Sequence, residues 1–269
     1  MTNIVIWKNQ ATSEIFAAAD SRLTNPKLMT DQASKILPLD VLSHRLVDEP
    51  YPNWQGMLGQ GLGFAYAGAI APALMTYMLV SKIVGSMGCM PVRLPSLESI
   101  ATLVADVGVK MIFDVAMAYP CDNPPVCEFA IFGDDIGEEQ SPKFYKGNNS
   151  AFHVYPTVEG VFSLKISRVD FTAGEYLVMG DRVQGLSDEI DRLDPEKQFF
   201  NMEPRIALQN RISGQSVESV GGTLQLFSVS GNTLRQHIGG NDSAEYLGYS
   251  IKDAEDILEV GLPLLRSGR

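Results

Sequence analysis

A threonine in the second position, an aspartate at position 20 and a lysine at position 35 are the residues of this 269-residue chain whose types and spacing invite chemistry. A hydroxyl is a poor nucleophile at neutral pH and needs an adjacent base, and a free α-amine on the same residue can serve. Removal of Met1 ahead of the small Thr2 would supply that amine. Its reference pKa of about 7.7–8.0 leaves it partly neutral at working pH. Lys35 sits beside Ile36 and Leu37, where an unpaired ammonium is costly to bury. Either its head reaches solvent or a carboxylate partner meets it. A cation held there would lower the pKa of a neighbouring hydroxyl and amine. Taken alone, Asp20 also reads as a turn residue capping the Ser21-Arg22 loop, and Met-Thr opens many ordinary chains.

Other constellations carry less. Gly59-Gln60-Gly61-Leu62-Gly63 mimics a dinucleotide-binding loop, but no helix opens directly after it. His44, His153 and His237 are scattered, and Cys89, Cys121 and Cys127 lack zinc or redox spacing, so no metal and no cofactor is expected. Asp134-Asp135 with Glu138-Glu139 reads as a solvated turn. The net charge of −11 and the pI near 4.7 argue against a nucleic-acid footprint, which needs a basic stripe. The opening MTNIVIWKN lacks a basic region followed by a long apolar run, so no secretory leader is expected. An odd number of unpaired thiols then fits a cytoplasmic protein. From Met57 to Ser81 no residue is charged, long enough to span a bilayer. Closely spaced glycines in its first half favour a buried strand and a following helix over a membrane span.

The elements that must position these residues follow from patterning. Asn3 to Trp7 and Glu14 to Ala19 read as paired strands around a turn at Asn9 to Ser13. A short strand is expected near Lys35 to Leu39, an irregular exposed insertion from His44 to Gly59, and a buried strand from Gly61 to Ala67. Helices are expected over Pro72 to Val84 and Ser96 to Ala118, the latter with Ser96 as N-cap. Strands return at Cys127–Phe132, Ala151–Pro156, Gly160–Val169 and Glu175–Met179. Helices follow at Leu186–Leu193 and Pro204–Ile212. A hairpin of Gly222–Val229 and Thr233–His237 turns at Ser230-Gly231-Asn232, and Ser250 to Leu265 reads as an acidic helix. Strand blocks separated by helix pairs do not suit a doubly wound sheet. They suit an α+β fold, a four-layer αββα sandwich of two antiparallel sheets flanked by helices. One domain over residues 1–269 is expected, with an insertion near 44–60 and a C-terminal extension at 240–269.

Several of these segments, in this order, resemble the proteasome β-subunits and their bacterial relatives, members of the Ntn-hydrolase family. They are Thr2-Asn3-Ile4-Val5-Ile6, Ala17-Ala18-Ala19-Asp20-Ser21-Arg22, Ser34-Lys35-Ile36 and Phe64-Ala65-Tyr66-Ala67-Gly68-Ala69. Cys127 to Asp134, Glu175 to Gly180 and Val220-Gly221-Gly222-Thr223 fall where that family places later strands, so the likeness covers residues 2 to about 238. The resemblance implies Thr2 as nucleophile, Asp20 holding Lys35, a backbone N–H at Gly68 facing an oxyanion, and Tyr66 pointing into a specificity pocket. Two departures stand out. Where catalytic relatives carry a serine after the corner glycine, Asp181 follows Gly180; where they carry an aspartate and a serine before the late Gly-Gly, Val217-Glu218-Ser219-Val220 stands. That half of the site is either rebuilt from Asp181, Glu218 and Ser219 or lost. The expected function is an N-terminal-threonine peptidase acting on peptides or unfolded proteins and assembled as a homo-oligomeric ring. The alternatives are a non-catalytic structural subunit that retains Met1 and an amidase acting on a small molecule.

Overall fold

The computed structural model describes residues 2–251, apart from 26, 48–52, 89–92, 120–123, 136–147, 158–159, 216, 231–232, 238–243 and 247–248. In chain order the strands open with β1 (Asn3–Lys8), β2 (Ile15–Asp20), β3 (Leu23–Asn25), β4 (Lys27–Thr30), β5 (Ile36–Val47) and β6 (Asn53–Gly68). Helix α1 (Ile70–Val84), the short β7 (Met87–Gly88) and α2 (Leu97–Ala118) follow. Then come β8 (Cys127–Asp135), β9 (Asn148–Thr157), β10 (Gly160–Val169), β11 (Leu177–Gly180), α3 (Val183–Leu193) and α4 (Glu203–Gly214). The remaining elements are β12 (Leu224–Ser230), β13 (Thr233–His237), β14 (Ala244–Tyr246) and β15 (Tyr249–Ile251). The chain is therefore α+β, with four helices and several sheets among the described residues.

These residues form two compact units. One comprises residues 1–36, 172–228 and 235–269, the other residues 37–171 and 229–234. The first is built on the sheet β11-β1-β2-β12-β13. Alternation in β1 and β2 turns Val5, Trp7, Phe16 and Ala18 to one face, where they pack with Leu186 and Ile190 of α3 and Ala207, Leu208 and Ile212 of α4. Trp7 stacks on Phe16 at 5.6 Å between ring centroids. The second unit carries the sheet β10-β9-β8-β6-β5-β7, parallel only where β5 meets β7 among the pairings described. Leu62, Phe64, Tyr66, Phe129 and Ile131 pack there with Ala73 and Val80 of α1 and Ile100, Val104 and Met111 of α2. Ser96 caps α2, its hydroxyl accepting from the Ser99 amide, and an Asp135 carboxylate oxygen accepts from the Leu97 amide at 3.2 Å.

Three local expectations differ from the structure. Instead of a short strand and an irregular segment, residues 36–47 and 53–68 are long strands. The closely spaced glycines of β6 serve packing at Gly63, where a Cβ would fall on the Phe132 ring. Asp134 and Asp135 end a strand, with Asp134 buried, and Glu138 and Glu139 lie outside the described residues. Most of the expected terminal helix also lies outside them, while Ser250 and Ile251 belong to β15. No helix among the described residues is long and apolar enough to cross a membrane.

Candidate catalytic site

Strand β1 is flanked on both sides by antiparallel neighbours, β2 with Ile4 opposite Ala19 and β11 with Asn3 opposite Gly180. That register brings the end of β2, Asp20, and the end of β11, Gly180-Asp181, to the beginning of β1. The Thr2 hydroxyl donates to Asp20 Oδ1 at 3.0 Å, and the Asn3 amide donates to the same oxygen at 2.8 Å. Lys35 Nζ lies 3.0 Å from that oxygen as well, with both side chains at 1% exposure or less. The other oxygen, Oδ2, accepts from the amides of Gly221 at 3.1 Å and Arg22 at 3.2 Å. Five donors thus converge on one buried carboxylate, the arrangement in which an isolated charge becomes tolerable in a core.

Lys35 is placed just ahead of β5 by its own backbone. Its amide donates to Gln225 Oε1 at 3.1 Å, while Gln225 Nε2 donates to the carbonyls of Ala33 at 2.7 Å and Asp20 at 3.2 Å. The ammonium also donates to the Arg22 carbonyl at 2.5 Å. Burial lowers the Lys35 pKa, and Asp20 opposes that shift. Arg22 pairs bidentately with Asp31, Nε at 2.6 Å and Nη2 at 3.2 Å. Its pKa is raised chiefly by that bond.

On the other side of β1 the Asp181 amide donates to the Thr2 carbonyl at 2.8 Å. Asn3 Nδ2 donates to the Asp181 carbonyl at 2.6 Å, and the Ser219 hydroxyl to Asp181 Oδ2 at 2.7 Å. Asp181 and Ser219 are therefore partners. Glu218 joins the network through its backbone only, its carbonyl accepting from Arg22 Nη1 at 3.3 Å, and its side chain is exposed. Gly180 is confined to glycine, with φ of 105° and the place of a Cβ taken by the Thr2 carbonyl.

Tyr66 and Gly68 lie in the second unit, on β6. Tyr66 is packed in the helix-facing core with its phenol pKa pushed up to about 12 by burial. Gly68, at φ 101°, pairs with Cys127 on β8, and a Cβ there would meet the Val126 carbonyl. The Cys127 thiol is buried and unpaired, pushed up to about 12 by burial. Cys89 and Cys121 lie outside the described residues. His44, His153 and His237 contact, respectively, the Gly85 carbonyl, Glu128 and Ser228, and no metal-ligand cluster exists among the described residues. Gln225, Gly221 and Asn3 are members of the network that sequence reasoning missed. Two of them act on Asp20 through backbone amides, which leave no signature in residue type.

The described residues of this α+β chain thus gather a threonine hydroxyl, a carboxylate and an ammonium at the start of its first strand. No protein-family model and no curated protein matches the chain. Solved structures do. The helical assembly of the Anbu complex from Pseudomonas aeruginosa shares 18% identity over 99% of both chains with a TM-score of 0.61. Anbu (ancestral beta-subunit) from Yersinia bercovieri shares 16% over 99% of this chain and 100% of its own, with a TM-score of 0.56. A mutant of Anbu from Hyphomicrobium sp. strain MC1 shares 14% over 97% and 96%, with a TM-score of 0.57. These likenesses establish the fold. They also correct the family expectation, because the neighbours are Anbu proteins, a proteasome-like group distinct from the proteasome β-subunits. The motifs at residues 2–22 and 34–36 describe how the β1–β2 edge and its buried ion pair are built, so they do not separate one group with this architecture from another.

Proposed function

We propose that the chain is an amide-bond hydrolase of the N-terminal-threonine type, acting on peptides after Met1 is removed. The observation that supports this best is the buried hydrogen-bonded series from the Thr2 hydroxyl through Asp20 to the Lys35 ammonium. In this reading Thr2 Oγ1 attacks the scissile carbonyl and its proton passes to the freed α-amine, then to the departing amine. An acyl ester remains on Thr2, and water, deprotonated by the same amine, hydrolyses it. Lys35 stabilises the developing alkoxide electrostatically. Asp181 takes the place of the serine expected after the corner glycine, and Ser219, beside Glu218, stands near the expected aspartate and serine, so that Asp181 and Ser219 together supply one carboxylate and one hydroxyl. They orient the amine from the β11 side.

The four-layer αββα sandwich belongs to the same reading. In each of the two larger sheets, taken by itself, residues on the face turned away from its own helices are fully buried: Ile4, Ile6, Ala17 and Ala19 in one, Ala65, Ala130 and Phe132 in the other. Self-assembly in the cytoplasm belongs to it as well. The Anbu complex from Pseudomonas forms a helical assembly, which sets an open arrangement beside the closed ring expected from the sequence.

Intact mass of protein made in its own host tests the proposal first: the species lacking Met1 is expected. A fluorogenic peptide panel then compares it with Thr2→Ala, for which cleavage drops at least about 10³-fold. Retained Met1, or equal turnover by Thr2→Ala, refutes the peptidase and favours a structural subunit.

A further inference from the structure

Asp181 is delivered to the start of β1 by a corner that ordinary sequence does not hold on its own. Gly180 before it has φ of 105° and Arg182 after it has φ of 48°, so two left-handed residues bracket it. Glycine takes such a conformation freely; arginine does so only where its surroundings impose it. Arg182 also occupies the N-cap position of α3, and no side chain caps that helix end. The group that meets the corner from below is Arg211, in the last turn of α4, whose Nη2 donates to the Arg182 carbonyl at 3.1 Å. Its side chain is buried, 8% exposed for the residue as a whole, and Nη1 has no hydrogen-bond partner among the described residues. A buried guanidinium with an unfilled donor is an expensive way to secure one carbonyl. Its charge also serves a second end, because the Asp181 carboxylate acts on it electrostatically, with Glu189 next and Arg182 opposing.

We propose that Arg211 is a positioning residue: it holds the Gly180–Arg182 corner in its left-handed conformation and thereby sets Asp181 against Thr2 and Ser219. Three contacts depend on that corner. They are the Asp181 amide on the Thr2 carbonyl, Asn3 Nδ2 on the Asp181 carbonyl, and the Ser219 hydroxyl on Asp181 Oδ2. The inference rests on the threonine-hydrolase reading for its catalytic meaning, but its physical content, a held corner, stands apart from turnover.

Hydrogen exchange read by mass spectrometry separates the two. In Arg211→Met the amides of residues 180–183 lose protection by about tenfold or more, while those of β1 beyond Ile4 and of β12 keep theirs. Arg211→Lys, which retains a cation and a donor, restores most of that protection. Arg182→Gly in the Arg211→Met background restores it too, because glycine needs no outside force at φ 48°. If the protein is an active hydrolase, kcat falls in Arg211→Met with KM unchanged. An inactive parent refutes the proposed function and leaves the exchange result to decide this one. The inference is overturned if protection at 180–183 is unchanged in Arg211→Met. It is equally overturned if the loss spreads evenly over α4 and β12, or if Arg182→Gly restores nothing. Should Arg211→Met fail to fold, the double variant carries the test, and its failure to fold would make Arg211 a general stability residue and end the proposal.

Discussion

Removing one member of the Asp20–Lys35 pair is the perturbation whose size the structure defines best. At 3.0 Å and an effective dielectric of about 20 the attraction is about 5–6 kcal/mol. Stripping water from two fully buried ions costs several kcal/mol each, so the intact pair is close to neutral for stability while either half alone is a liability. The two halves differ. Lys35→Met leaves the carboxylate with four donors, the Thr2 hydroxyl and the amides of Asn3, Arg22 and Gly221, all within 3.2 Å; the loss is about 3 kcal/mol, the lower end for a broken buried pair. Asp20→Asn presents an amide NH2 to a site where all five partners donate, and leaves the ammonium with the Arg22 carbonyl, for a loss of about 5 kcal/mol. The double variant carries no buried charge and recovers about 2–3 kcal/mol of the summed losses. Guanidinium chloride titrations at pH 7 measure all four corners of the cycle, with the denaturant slope required to stay constant. Alkaline pH supplies a second reading. Burial lowers the folded Lys35 pKa below its ordinary 10.5, so the unfolded chain binds more protons between the lowered value and 10.5. Stability therefore rises with pH across that window, and this rise vanishes in Lys35→Met. Additivity within about 0.5 kcal/mol would refute the pair.

Two further perturbations test other parts of the fold. Burial pushes the Asp134 carboxyl up to about 6 from 3.8; the folded chain then binds more protons between those values, and stability falls as pH rises through that range. Asp134→Asn is expected to be neutral near pH 4 and stabilising by about 2–3 kcal/mol at pH 7.5, measured by denaturant titration at the two pH values; a flat difference disproves the assignment. Gly180→Ala places a Cβ on the Thr2 carbonyl at a φ that alanine resists. It should cost about 2–5 kcal/mol in unfolding free energy and expose the Asp181 amide to exchange. A wild-type melting curve would show that β11 has room the structure denies it.

The hairpin of β1 and β2, the four helices and the Ser96 cap were legible because each is a local pattern: alternation, helical spacing, a cap hydroxyl three residues before its amide. Strands β5 and β6 were not. Pro38 and the glycines at 56, 59, 61 and 63 all argue against long strands in isolation. What overrides them is pairing, with Gly63 to Gly68 laid against Phe132 to Cys127, and a packing demand for glycine under an aromatic ring. Such a demand comes from a partner about 70 residues away, and no window of sequence contains it.

The candidate site divides along the same line. Thr2, Asp20 and Lys35 were legible through the resemblance of the segments that hold them, and residue type added one physical argument, the cost of burying an unpaired lysine in an apolar stretch. Gln225, which fixes Lys35 from β12 across 190 residues of chain, and the Gly221 amide, 201 residues from Asp20, announced nothing. The pair at 181 and 219 shows what motif matching passes over. A match scored position by position registers an aspartate for a serine as a loss. The hydrogen bond at 2.7 Å between Ser219 and Asp181 keeps one hydroxyl and one carboxylate at the β11 corner whichever strand supplies which. Chemistry kept as a contact and altered in sequence is visible only when both residues share one set of coordinates. It follows that exchanging the two, Asp181→Ser with Ser219→Asp, is the substitution pair this corner tolerates best, and that either change alone leaves two hydroxyls or two carboxylates facing each other.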